Sequence, residues 1–112
     1  MADQAFIEKS SLTVVFKFLR LLKKKGVKVS QAILFGSYAK GRTNGDSDID
    51  IAIVSRQFGV NNFKEMIFLR RLALKVDSRL EPVPLTPDDL EDHYSTLVQE
   101  IKRYGRILKN RF

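Results

Sequence analysis

Apolar and polar residues alternate along this chain with two periods, one suited to helices and one to strands. From Ala5 to Lys25, Ile7, Leu12, Val15, Leu19 and Leu22 recur at helical spacing, and Gly26 is a natural stop. "VSQAILF" (Val29 to Phe35) reads as a strand running into Gly36. "DIDIAIV" (Asp48 to Val54) reads as a second, entered through the turn chemistry of "GDS". A helix over about Asn62 to Val76 has Phe63, Met66, Ile67, Leu69, Ala73 and Val76 as apolar members, and the phenylalanines at helical spacing are expected in the core.

"SRLEPVPL" (Ser78 to Leu85) is a third strand. Residues i and i+2 of a strand direct their N–H groups to one side, so Pro82 and Pro84 remove donors from a single edge, and the segment fits only the border of a sheet. "TPDD" then starts a helix, with Thr86 as N-cap, Pro87 in the first helical position, and Asp88 and Asp89 in the first turn. A last helix, roughly Tyr94 to Tyr104, stops at Gly105 and leaves "RILKN" as a short extended tail. The order predicts a small mixed α/β (α+β) domain of residues 1–112, with helices packed on three or more strands.

Composition supports one modest core: of 112 residues, 44% are apolar and 29% charged, which argues against disorder. The chain has no cysteine, which removes disulfides and thiolate metal sites and makes the cytoplasm the expected compartment. Glu8, Lys9, Lys17 and Arg20 interrupt the first apolar stretch, so neither a signal peptide nor a membrane span is expected there. Twenty basic against 13 acidic residues give a net charge of +7, suited to an anionic ligand or partner and equally to a plain basic surface. Lys23, Lys24 and Lys25 end a helix, where cations favour the dipole anyway.

The chemistry-bearing stretch is "LFGSYAKGRTNGDSDIDIAIV" (Leu34 to Val54). In a strand Asp48 and Asp50 point the same way with Cα atoms roughly 6.5–7 Å apart, while Ile49, Ile51 and Ile53 share the opposite, buried face. Two ionised acids on one face repel, and a divalent ion compensates them best. Taken alone, the pair is read more simply as two solvated acids, or as a pair bridged by Lys40 or Arg42. Gly36 lets backbone approach a ligand, and Ser37 adds a hydroxyl and the start of a short helix, an anion site for phosphate. Alone, that too is only a turn with a capped helical stub. A P-loop is rejected: "GSYAKGRT" has Arg42 where lysine is required, and "NGDSD" ends structure where a long helix must follow.

In combination these pieces are far more specific. Gly36-Ser37, ten residues, then Asp48-x-Asp50 resembles the signature of the nucleotidyltransferase superfamily that includes DNA polymerase beta. The fuller string resembles its minimal nucleotidyltransferase branch, and the likeness runs from the leading helix through the Glu81 strand to "EIKRYGRIL". The resemblance implies the polymerase beta-like fold. It implies that Gly36 and Ser37 hold a nucleoside triphosphate, steadied by Lys40 and Arg42, and that Asp48 and Asp50 bind magnesium. A third carboxylate, usually aspartate in the family, falls on Glu81, a departure in residue type that leaves the catalytic geometry open. Asp77, Asp88 and Asp89 are weaker candidates, explained by helix ends and caps. His93 is expected to be solvated or capping, Ser47 to turn the chain, and Tyr38 either to touch a base or to pack over the loop.

The activity implied is a two-ion, magnesium-dependent transfer of a nucleoside monophosphate, AMP from ATP, to a hydroxyl. For the minimal branch the acceptor is expected on a partner, a tyrosine of a HEPN-domain toxin, which would make the chain an antitoxin. Two alternatives are a stoichiometric antitoxin that masks its partner without catalysis, and a subunit of an aminoglycoside-type transferase. Direct nucleic-acid binding is the less favoured use of the basic charge.

Overall fold

A computed structural model of the chain describes residues 9–39 and 47–108. The elements are α1 (Lys9–Lys24), β1 (Gln31–Phe35), the short α2 (Gly36–Ala39), β2 (Ile49–Val54), α3 (Asn62–Leu74), β3 (Leu80–Leu85), α4 (Thr96–Tyr104) and β4 (Arg106–Ile107). A 3₁₀ turn, Asp88–Glu91, lies between β3 and α4. The strands make one mixed sheet in the order β3-β2-β1-β4. β1 pairs antiparallel with β2 and β4, whereas β2 and β3 are parallel, joined by the α3 crossover that parallel neighbours need.

The period of two in β2 separates the faces of the sheet. Ile49, Ile51 and Ile53 are fully buried against Val15, Phe18, Leu19 and Leu22 of α1 and Leu69 and Ala73 of α3. Burying one such side chain contributes about 1.5–3 kcal/mol, so this face carries much of the stability. On the other face Ala52 and Val54 join Ile33, Phe35 and Leu85 under Ile101 of α4. That cover is shorter, and the sheet emerges from it where Asp50 and Glu81 stand.

β3 occupies the border that its prolines demand. The carbonyls of Arg79 and Leu85 accept from Ile49 and Ser55 of the β2 side, at 2.7 and 2.9 Å, so the backbone groups of odd-numbered residues point toward β2. The donorless nitrogens of Pro82 and Pro84 point to the open border, while their rings are buried. At the opposite border the expected extended tail is a strand. Arg106 and Ile107 pair with Leu34 and Ile33, and the Leu108 N–H donates to Ala32 O at 2.9 Å.

Two other expectations are corrected. The helix at "TPDD" is a single 3₁₀ turn, although its cap forms as expected: Thr86 Oγ1 accepts from the Asp89 N–H at 3.1 Å and Asp89 Oδ2 from the Thr86 N–H at 2.8 Å. No residue of that turn is buried, so nothing rewards propagation, and α4 begins afresh with Ser95 capping the Val98 N–H. Phe18 and Phe35 are buried, but Phe63 and Phe68 on α3 face outward, because only the Leu69, Leu72 and Ala73 side of that helix meets the sheet. Among the described residues no helix is long and apolar enough to cross a membrane.

Candidate active site

The site is built where β1 ends. Phe35 is the register partner of Asp50, so the next residue, Gly36, arrives beside the aspartate's carboxylate. Gly36 has φ +69, the left-handed region that glycine adopts at no steric cost. A Cβ there would run into Asp50 Oδ2 and stand 3.1 Å from Asp50 Cγ. The turn that opens α2 therefore lies directly against the second aspartate, with Ser37 exposed at its start.

Asp50 is also the register partner of Glu81 in the parallel β3, which puts the two side chains on one face of neighbouring strands about 4.8 Å apart. Asp48, immediately before β2, is exposed. Sequence reasoning thus named three acids that the sheet brings to one end. It missed two residues beside them. Glu100 of α4 adds its charge from the helix that covers this face, and Arg70 of α3 forms an ion pair with Glu81 at 3.0 Å. Glu100 lies 50 residues beyond Asp50 and no local pattern marks it. Arg70 reads on the sequence as one more basic residue on a helix.

Burial raises the Asp50 carboxyl above its ordinary value, and the charges of Asp48, Glu81 and Glu100 raise it further. Such a carboxylate gains from a cation. Among the described residues no three acids or histidines converge into a metal cage. Magnesium does not need one, since it takes one or two carboxylates and completes its shell with water and substrate phosphate. Asp48 and Asp50, beside a glycine turn open to a ligand, fit that donor set. Glu81 stands in line with them but is committed to Arg70.

Of the remaining candidates, Lys40 and Arg42 lie outside the described residues. Asp77 is held by the Arg79 guanidinium at 3.1 Å, and Asp89 by the Thr86 cap. Asp88 is exposed on the 3₁₀ turn, and His93 is exposed with its carbonyl accepting from Gln99 Nε2.

Comparison with known proteins agrees with this fold. The family model described as polymerase beta, nucleotidyltransferase matches residues 17–111. Protein adenylyltransferase MntA of Shewanella oneidensis is 30% identical over 92 residues, and the match spans 82% of this chain but only 62% of that protein. A crystal structure of a toxin–antitoxin with AMP-PNP superposes with a TM-score of 0.61 at 30% identity, over 83% of this chain and 70% of that one. A second, of a tri-AMPylated S. oneidensis HEPN toxin in complex with an MNT antitoxin, gives 0.59 at 26% identity, over 88% and 71%. With the motif turn, the paired aspartates and the polymerase beta-like sheet in place along nearly its whole length, the chain belongs to the polymerase beta nucleotidyltransferase family.

Proposed function

We propose that the chain transfers AMP from ATP to a hydroxyl group on a partner protein, a tyrosine of a HEPN-domain toxin, and so acts as an antitoxin in the cytoplasm. The observation that carries this reading is the contact between Gly36 and Asp50. It sets a backbone turn suited to phosphate against a carboxylate suited to a metal. The likeness to MntA and to the AMPylated toxin complex supports the choice of donor and acceptor.

In this reading Gly36 and Ser37 hold the triphosphate, the charges of Lys40 and Arg42 steady it, and Asp48 and Asp50 hold magnesium. When bound, a pair of magnesium ions supplies Lewis acidity, lowering the pKa of the attacking hydroxyl and neutralising charge on the departing pyrophosphate. Glu81 serves as the third carboxylate once its bond to Arg70 is exchanged. The acceptor oxygen approaches over the open end of the α4-covered face, and the buried isoleucine face keeps β2 rigid beneath it.

A second reading is favoured by one observation: with Glu81 tied to Arg70, the chain could bind nucleotide and mask its partner without catalysis. Incubation with α-labelled ATP, magnesium and a candidate HEPN-domain partner separates the two. Transfer of label to the partner, lost in Asp48→Asn and Asp50→Asn, is expected. Neutralisation that persists in both variants with no transfer in wild type would establish the masking role instead.

A further inference from the structure

Helix α3 carries apolar side chains that the fold leaves uncovered. Leu69, Leu72 and Ala73 face the sheet, yet Phe63 and Leu74 are 73% and 68% exposed. Phe63, Ile67 and Leu74 follow one another at intervals of four and seven residues, which places them in one stripe along the outer side. Val60, 90% exposed, extends the stripe beyond the helix N-terminus. A helix that is apolar on both sides is ordinarily covered on both.

Charge and position indicate what covers it. Lys64, Arg71 and Lys75 border the stripe, all exposed. The single acid of α3, Glu65, is turned back on the amides of Gly59, Val60 and Asn61 at 2.9–3.1 Å and offsets little of that border. A second copy in two-fold contact would press this basic border against itself, on a chain of net charge +7. An amphipathic helix with acidic flanks satisfies both the stripe and its border. The stripe also runs toward the border of the sheet that carries Glu81. The crossover returns the chain along β2 from Val54 toward Asp50, and Arg70, one turn before Leu74, reaches Glu81 at 3.0 Å.

We infer that the outer face of α3, from Val60 to Leu74, seats an acid-flanked amphipathic helix of the protein that supplies the acceptor hydroxyl. This rests on the reading that the acceptor is a protein. A partner lying along the stripe meets the border of the sheet where Arg70 reaches Glu81, and its acceptor side chain passes round that border to the open end of the α4-covered face.

The test uses the full chain and a HEPN-domain protein as the candidate partner. Phe63→Glu/Leu74→Glu is expected to keep the melting temperature and the magnesium–AMP-PNP affinity of wild type while binding the partner at least about 100-fold more weakly. Should that variant unfold, Val60→Arg carries the same test at a nearly fully exposed position. Lys64→Glu/Arg71→Glu/Lys75→Glu is expected to slow association about tenfold and flatten its salt dependence. Unchanged partner affinity in the folded variants overturns the inference and leaves the transferase reading standing. Absence of any complex with wild type removes the protein-acceptor reading, and the inference with it. A dimer of the chain alone that the double variant disperses in sedimentation equilibrium overturns it in favour of a second copy. Variant-sensitive cosedimentation with phosphatidylglycerol vesicles overturns it in favour of a lipid surface.

Discussion

The two faces of the sheet use alternate residues of β2 in opposite ways. Beneath α1 and α3, every side chain that β2 contributes is aliphatic and fully buried. Beneath α4 the strand starts with an aspartate whose charge is opposed by burial and by three other carboxylates. The first face gains stability from each residue, and the second gives some of it up to hold charge where a ligand can use it. One strand can do both because alternate residues never share a face.

The largest effect is expected from opening the sealed face. Ile51→Ala removes a fully buried side chain between α1 and α3 and should cost about 2–4 kcal/mol, measured as a lower urea midpoint with unchanged slope. An effect below 1 kcal/mol would mean that this face is not where stability resides.

Gly36→Ala joins the two halves of the site and should cost about 1–2 kcal/mol for a side chain at positive φ. Because the new methyl group displaces the Asp50 carboxylate, nucleotidyl transfer should fall by a further factor of roughly 10². Normal activity in a folded Gly36→Ala protein would break the link between turn and aspartate.

Asp50→Asn should act in two directions. Transfer is lost, but the ligand-free protein should be more stable at pH 7, by about 0.5–1 kcal/mol, the scale of relieving a charge conflict. Asp50 has a raised pKa, so the native state binds its proton more tightly than the unfolded chain does. The cost of its charge is therefore complete above the shifted value and disappears as pH falls below the ordinary 3.8. Stability curves of wild type and variant should converge in acid. A variant less stable at every pH would contradict this.

The smallest effect tests a carboxylate of the opposite kind. The Arg79 guanidinium bonds the Asp77 side chain and lowers its pKa, so its contribution is present above 3.8 and lost as pH falls through the lower folded value. Asp77→Ala should cost no more than about 1 kcal/mol at pH 7 and nothing in strong acid, followed by thermal melts across that range.

Much of this contrast could be read from the sequence because it rests on local rules. The alternation in "DIDIAIV" places two acids against three isoleucines, and the two prolines place β3 at a border before any partner strand is known. Helix α1 was legible for the same reason, since its polar residues leave one apolar face. Helix α3 was not: it is apolar nearly all round, so periodicity could not say that Phe63 and Phe68 would face outward. Arg70 and Glu81 meet only because the crossover wraps α3 against the edge of the sheet. Glu100 joins the acids only through the packing of α4. The strand in the final tail was missed because two residues carry no pattern, and β1 alone decides that they pair.

The prolines of β3 have a consequence for how the molecule keeps company. A bare sheet border invites any extended segment to add itself as the next strand, whether from a partner or from another copy. Pro82 and Pro84 withdraw the donors that such a graft would need, and β4, at the other border, is two residues long among the described residues. Growth of the sheet into fibres is blocked at one side and poorly templated at the other. Recognition of this chain by a protein is thereby left to its helices.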